Sequence, residues 1–273
     1  MYSMNFIVAL SCEAKPIIDE LRLTKQFSPS PFPVFRNDFH RLVVSGIGKV
    51  AAAAATGFLL GSSSTKREVQ AYLNVGIAGH GTLQTNTAFI ASCISDDQDK
   101  AIFYPPQIID SDFEHSRLCT CSNPNQKYEK GLGFDMEAHA FYSIASRSAT
   151  RELIQVLKVV SDNEGRSLES IQPTMVKEYI CNHLLSILTF AQELDTLAKE
   201  ISPNLETLDL QERARKIHPF SQSQIFQLDR LISHSRTFDL EEKNLIELIE
   251  KSNSPKEAIH NLNTFIDPAR ILS

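Results

Sequence analysis

The feature that most constrains this chain is a repeated unit, a short apolar run that ends at a glycine or an acid and passes directly into helical spacing. "NFIVALS" is followed by "CEAKPIIDELRL", in which Ile17, Ile18 and Leu21 fall on one side of a helix. "HRLVVSGIG" is followed by "KVAAAAATGFLLGSS", a helix rich in alanine, the best helix former and small enough for close packing. "VQAYLNVGIAGHG" is a strand running into a glycine corner, "NTAFIASCIS" and "RLCTCS" read as strands, and the Pro-Pro pair of "IFYPPQIID" blocks helix and marks a loop. "GLGFDMEAHAFYSIASRS" hands a strand over to a helix, and "VLKVV" supplies the last strand. Strands alternating with helices predict an α/β domain with a twisted, largely parallel or mixed sheet flanked by helices. In such sheets ligands collect at the carboxyl ends of strands, where the glycine corners and "SDN" fall.

From about residue 174 the character changes. "TMVKEYICNHLLSILTFAQELDTLAKEIS" reads as one long amphipathic pattern closed by Pro203. The rest reads as three or four short helices starting at Ser221, Asp239 and Ser254. The expected organisation is an α/β domain over 1–200 and a helical C-terminal extension over 201–273.

A net charge of −6 argues against a general phosphate-backbone binder, so no nucleic-acid partner is expected. No apolar run approaches the roughly 20 residues of a membrane helix, and the start lacks the basic flank and cleavage site of a signal peptide. The five cysteines are odd in number, which points to a reducing, cytoplasmic setting. Cys119 and Cys121 share one face of a strand, but no second Cys or His pair has zinc-site spacing. Buried thiols and no metal are expected.

Three carboxylates stand at the ends of predicted strands: Glu13 after the first, Glu137 opening the helix after "GFDM", and Asp162 after "VLKVV". Each alone reads as a helix-start acid favoured by the helix dipole. Together with "SGIGK" and "NVGIAGHG", whose glycines let backbone amides approach a ligand closely, they read as a site. Neither glycine stretch is a dinucleotide fingerprint or a Walker loop.

"IVALSCEAKPIIDEL", "VVSGIGKVAAAAAT", "NVGIAGHG", "FDMEAHAF" and "VVSDN", in this order over approximately residues 5 to 165, resemble the nucleoside phosphorylase and nucleosidase superfamily, especially the methylthioadenosine/S-adenosylhomocysteine nucleosidases. The resemblance implies cleavage of the N-ribosidic bond of a purine nucleoside, without a cofactor, by a homo-oligomer. It implies that Asp162 protonates or hydrogen-bonds purine N7, so it must carry or share a proton when it acts. Glu13 would activate the attacking water, Glu137 would hold the ribose hydroxyls, and Met136 would pack on sugar and base. Ile47, Gly79, Phe103, Lys158 and Ser161 complete the expected substrate site. Asp135 is assigned to orienting the turn, and His80 is a further polar candidate.

The chain also departs from the family pattern. Phosphorylases of the superfamily place phosphate-binding arginine and serine where Asn74 and Ile77 stand, which favours water as the nucleophile. The nucleosidases have serine at Ile77 and arginine at Lys158, and lysine keeps the charge but not the fork geometry. The stretch between "GIAGHG" and "FDMEA" is shorter than usual, so the aromatic that stacks on the base is sought in Phe103 and Tyr104, or replaced by Ser122 to Asn125. Ordinary packing or a subunit contact is the competing reading for both aromatics. A phosphate-dependent phosphorylase and a nucleoside-binding or assembly protein without turnover remain as alternatives.

Overall fold

The computed structural model describes residues 4–26, 30–62, 69–124, 127–202, 205–235, 238 and 240–271. The chain divides into two compact units, Met1–Ser202 and Pro203–Ser273. The first is built on the expected alternation: β1 (Met4–Val8), α1 (Ser11–Glu20), β2 (Thr24–Lys25), β3 (Val34–Arg36), β4 (His40–Val44), α2 (Lys49–Gly61) and β5 (Ala71–His80). It continues with β6 (Ala88–Asp96), β7 (Glu114–Thr120), β8 (Leu132–Asp135), α3 (Ala138–Ala145), β9 (Ile154–Asp162), α4 (Pro173–Asn182) and α5 (Leu184–Glu200).

The strands form one mixed sheet in the order β2-β3-β4-β1-β5-β8-β7-β6-β9. The line β4, β1, β5 and β9 is parallel throughout. Because β9 also pairs with β5, the strands β5, β8, β7, β6 and β9 close on themselves as a ring. Closure leaves β5 central, bonded to β1 over Ala71–Val75, to β9 over Tyr72–Gly79 and to β8 at its carboxyl end through Gly79 and His80. The edge strands β2 and β3 are too short to leave a periodic signal in the sequence.

Period-two alternation sends side chains to opposite faces of this sheet. Phe6, Val8, Leu73, Val75, Leu157 and Val159 pack with Ala14 and Ile17 of α1, Ile180 of α4 and Leu194 of α5. Ile7, Val43, Val156 and Val160 pack on the other face with Ala55 and Leu59 of α2 and Phe141 and Tyr142 of α3. Burial on both faces explains why the strands read as continuous apolar runs.

The long amphipathic pattern from residue 174 is two helices. The backbone leaves helical geometry at His183 (φ −108°, ψ 4°), whose Nε2 hydrogen-bonds the Asn86 carbonyl at 2.8 Å. Pro203, expected to close it, lies outside the described residues. The second unit holds α6 (Leu205–Ile217), α7 (Gln222–Ser235), α8 (Glu242–Glu250) and α9 (Pro255–Ile271) around Leu228, Ile232, Leu245, Ile249 and Leu262. Ser254 Oγ accepts from the Glu257 N–H at 3.2 Å and Ser221 Oγ from the Gln224 N–H at 3.4 Å, as helix-start residues do. Asp239 lies outside the described residues.

Just beyond β5, Gly81 allows a close backbone crossing. A Cβ there would lie 1.9 Å from the Glu129 carbonyl oxygen. Gly81→Ala should therefore lower the unfolding free energy by about 1–3 kcal/mol, the usual cost of overpacking, as read from denaturant titration.

Candidate active site

A cavity of about 230 Å³ opens where β1, β5 and β9 end and β8 meets β5. Ala9, Leu10 and Glu13 line it after β1, Ile47 after β4, Ile77 to Gly79 from β5, and Ser161 and Asp162 from β9. The turn out of β8 adds Phe134, Asp135, Met136 and Glu137. Of the nine residues expected to act on or hold the substrate, seven thus meet here: Glu13, Ile47, Gly79, Met136, Glu137, Ser161 and Asp162.

Glu13 sits in the first turn of α1 and is 2% exposed. Its Oε2 accepts the Leu10 N–H at 2.8 Å and its Oε1 the Ile77 N–H at 2.9 Å. Burial pushes this carboxyl up to about 7, against the pull of Lys158 and of the two backbone donors.

Glu137 is also buried, and its Oε1 accepts the Gly48 N–H at 2.7 Å. Gly48, at the start of α2, has φ +101°, a backbone conformation that a side chain would strain. The turn is secured by the next residue, Lys49, which pairs with Asp96 at 2.7 Å and Asp97 at 2.6 Å. Burial, opposed by Lys158 and reinforced by Asp135, raises the Glu137 carboxyl above the usual carboxylate range.

Lys158 is 1% exposed and does not line the cavity. Its Nζ pairs with Asp135 Oδ2 at 2.8 Å. Burial works against the ammonium charge, but Asp135, Glu137 and Glu13 outweigh it and raise the lysine above its ordinary range. Asp135 does more than orient the turn. Its Oδ2 also accepts the Ala138 N–H at 2.8 Å, and its Oδ1 accepts the Thr120 hydroxyl at 2.7 Å.

Asp162 has a different environment. Its Oδ1 accepts the Ser161 hydroxyl and its Oδ2 the Tyr128 hydroxyl at 2.6 Å. Gly79 makes room for it, since a Cβ there would lie 2.7 Å from Asp162 Oδ2. One carboxylate of the cavity is thus held by backbone amides, one by a glycine N–H, and one by two hydroxyls.

Phe103 is placed elsewhere. Its backbone bridges to Ile94 and its ring packs on His139 and Tyr142, with centroids 4.8 Å and 5.0 Å apart. It is a packing residue under α3 rather than a wall of the cavity, and Tyr104 is exposed. Of the Ser122 to Asn125 stretch, Pro124 lines the cavity and Asn125 lies outside the described residues. His80 is structural: its Nδ1 accepts from Thr82 and Leu83 at 2.9 Å and 2.8 Å, which leaves Nε2 to donate to Ser116 at 2.8 Å. Tyr128 and Leu168 belong to the site or its border and carry no motif, and Phe134, inside "FDMEAHAF", is not among the residues singled out in the sequence. Among the described residues no group of three or more His, Cys, Asp or Glu is placed to hold a metal ion.

The α/β unit has a nucleoside phosphorylase/nucleosidase-like fold. The 5'-methylthioadenosine/S-adenosylhomocysteine nucleosidase of Colwellia psychrerythraea, solved with adenine, matches with a TM-score of 0.58 at 17% identity, over 71% of this chain and 96% of that one. The nucleosidase of Helicobacter pylori, solved with butyl-thio-DADMe-Immucillin-A, matches with a TM-score of 0.57 at 12% identity, over 71% and 99%. The futalosine hydrolase of the same organism matches with a TM-score of 0.55 at 12% identity, over 70% and 98%. No protein-family model matches the sequence, and no curated protein matches it either.

Replacing Lys158 by methionine leaves Asp135 buried without its cation. Unfolding free energy should fall by about 3–5 kcal/mol, measured by denaturant titration of the full chain. Lys158→Arg, which keeps the charge, should lose less.

Proposed function

We propose that this chain hydrolyses the N-ribosidic bond of a purine nucleoside or thionucleoside. The observation that carries the reading is the gathering of Glu13, Glu137 and Asp162 around one small cavity, each in a different hydrogen-bonding environment. As the bond stretches, the sugar becomes oxocarbenium-like. A proton donor at the base and a base-held water at the sugar both lower that barrier. Asp162 is the donor to N7, with Ser161 beside it. Glu13 takes a proton from the attacking water. A carboxyl near 7 suits this role, because a substantial fraction is ionised at neutral pH and that form is basic enough to accept the proton. Glu137 grips ribose hydroxyls while Gly48 holds its other side, and Met136 packs on the sugar. Ile47 covers the mouth, and Gly79 leaves room for the Asp162 carboxyl that meets the base.

Water is favoured over phosphate as the nucleophile. Lys158, the cation these carboxylates share, is buried and bonded to Asp135. Asn74 donates to the Ile7 carbonyl at 2.9 Å instead of lining the cavity, and Ile77 offers its N–H to Glu13. A phosphate dianion would meet the Glu13 carboxylate with no cation to offset it among the described residues that line the cavity. The five cysteines are free thiols. No described helix is long and apolar enough to cross a membrane.

The assay offers methylthioadenosine, S-adenosylhomocysteine, adenosine, inosine and 5'-deoxyadenosine, with and without phosphate, and reads released base. Phosphate-independent release is expected, reduced by roughly 10²-fold or more in Asp162→Asn and in Glu13→Gln. Strict phosphate dependence would make the chain a phosphorylase. Nucleoside binding without release would make it a binding or assembly protein. Because Glu13 works ionised, kcat/KM should climb roughly tenfold per pH unit as the pH rises towards about 7. A rate independent of pH across that range would remove Glu13 as the base.

A further inference from the structure

One tyrosine touches the proposed acid and belongs to none of the motifs. Tyr128 donates its hydroxyl to Asp162 Oδ2 at 2.6 Å, so this oxygen is engaged from a segment distant in sequence from β9. The position is built rather than incidental. The backbone beside it crosses Gly81 at a separation that no side chain there would permit, and the Gly131 N–H donates to Thr82 Oγ1 at 2.9 Å. The Tyr128 ring meets Phe134, a wall of the cavity, edge-on at 6.4 Å. Its Cε1 would lie 3.1 Å from a Cβ on Gly79, so Gly79 admits the tyrosine and the carboxyl together. Burial, and then the bond to Asp162, raise the phenol well above its ordinary range, so it remains a donor across the working pH.

A carboxyl at a strand end has rotational freedom that a proton donor cannot use. Ser161 restrains one oxygen, but it is the adjacent residue and moves with the same backbone. Tyr128 supplies the independent second restraint. The cavity side and the outer side of this pair are also separate. Tyr128 lines an open depression with Asn163 and Glu164, whereas Asp162 lines the cavity. The restraint therefore comes from a residue that lines the depression and is not among those lining the cavity.

Resting on the proposed nucleosidase reading, we propose that Tyr128 is the positioning residue of the leaving-group acid, fixing the Asp162 carboxyl so that it addresses purine N7. The step itself is unchanged. The proton passes from Asp162 to N7 as the C1'–N9 bond breaks and its electron pair stays with the base. Water adds to C1', and its proton goes to Glu13.

The test is Tyr128→Phe in the full chain, which keeps the ring and removes only the hydroxyl. On the nucleoside the wild type cleaves best, kcat should fall roughly 10- to 100-fold, part of the roughly 10²–10⁴-fold a placed proton donor contributes, while KM stays within about threefold. The discriminating readout is a 7-methylpurine nucleoside, whose base already carries the positive charge and leaves without protonation. On it, Tyr128→Phe and Asp162→Asn should both keep most of the wild-type rate, an outcome that general loosening of the site does not produce. Equal loss on both substrates, or a Tyr128→Phe variant as fast as or faster than wild type on the ordinary nucleoside, would overturn the assignment. The ordinary substrate alone decides the matter if the methylated one is not turned over. A wild-type chain that cleaves no nucleoside removes the nucleosidase reading, and this proposal with it.

Discussion

The site depends on one buried ammonium. Lys158 projects from β9 into a region that desolvation makes hostile to any charge, and Asp135, Glu137 and Glu13 around it keep it ionised. The dependence is mutual, because those carboxylates would be far harder to bury without the cation. Each arrives from a different element: Glu13 from α1, Lys158 from the centre of β9, and Asp135 and Glu137 from the end of β8 and the turn beyond it. The charge cluster therefore ties the line β1-β5-β9 to β8, and the ring closure of the sheet brings these elements within reach of one another.

One cation and several acids do not make equivalent carboxylates. Asp135 takes the direct ion pair and the α3 amide, and is the structural member. Glu13 and Glu137 feel Lys158 less directly, so burial wins and both are raised. Asp162 stands apart, its oxygens held by the hydroxyls of Ser161 and Tyr128. A chain that must both give and take a proton needs unlike environments, and here the carboxylates differ in their partners: backbone amides for Glu13, the Gly48 N–H for Glu137 and two hydroxyls for Asp162.

The main architecture was legible because strands buried on both faces are continuous apolar runs, and glycines mark the places where backbone or ligand must come close. Glu13, Glu137 and Asp162 were legible for the same reason, each standing where a strand hands over to the next element. Phe103 misled because an aromatic next to a Pro-Pro loop looks the same whether it faces a ligand or, as here, His139 and Tyr142. The break at His183 was invisible because amphipathic spacing continues through it, while its cause is a bond to Asn86, far away in the chain. Tyr128 was missed for a similar reason, since its partner Asp162 is brought to it only by the fold. The strands β2 and β3 are too short for any period to show.

The central claim is that water, held by Glu13, attacks the sugar. The most direct measurement is the isotopic composition of the sugar product when the wild-type chain turns over its nucleoside in heavy-oxygen water with phosphate present. The account predicts one heavy oxygen at C1 of the free sugar and no sugar phosphate. A sugar 1-phosphate carrying no heavy oxygen at C1 would contradict it.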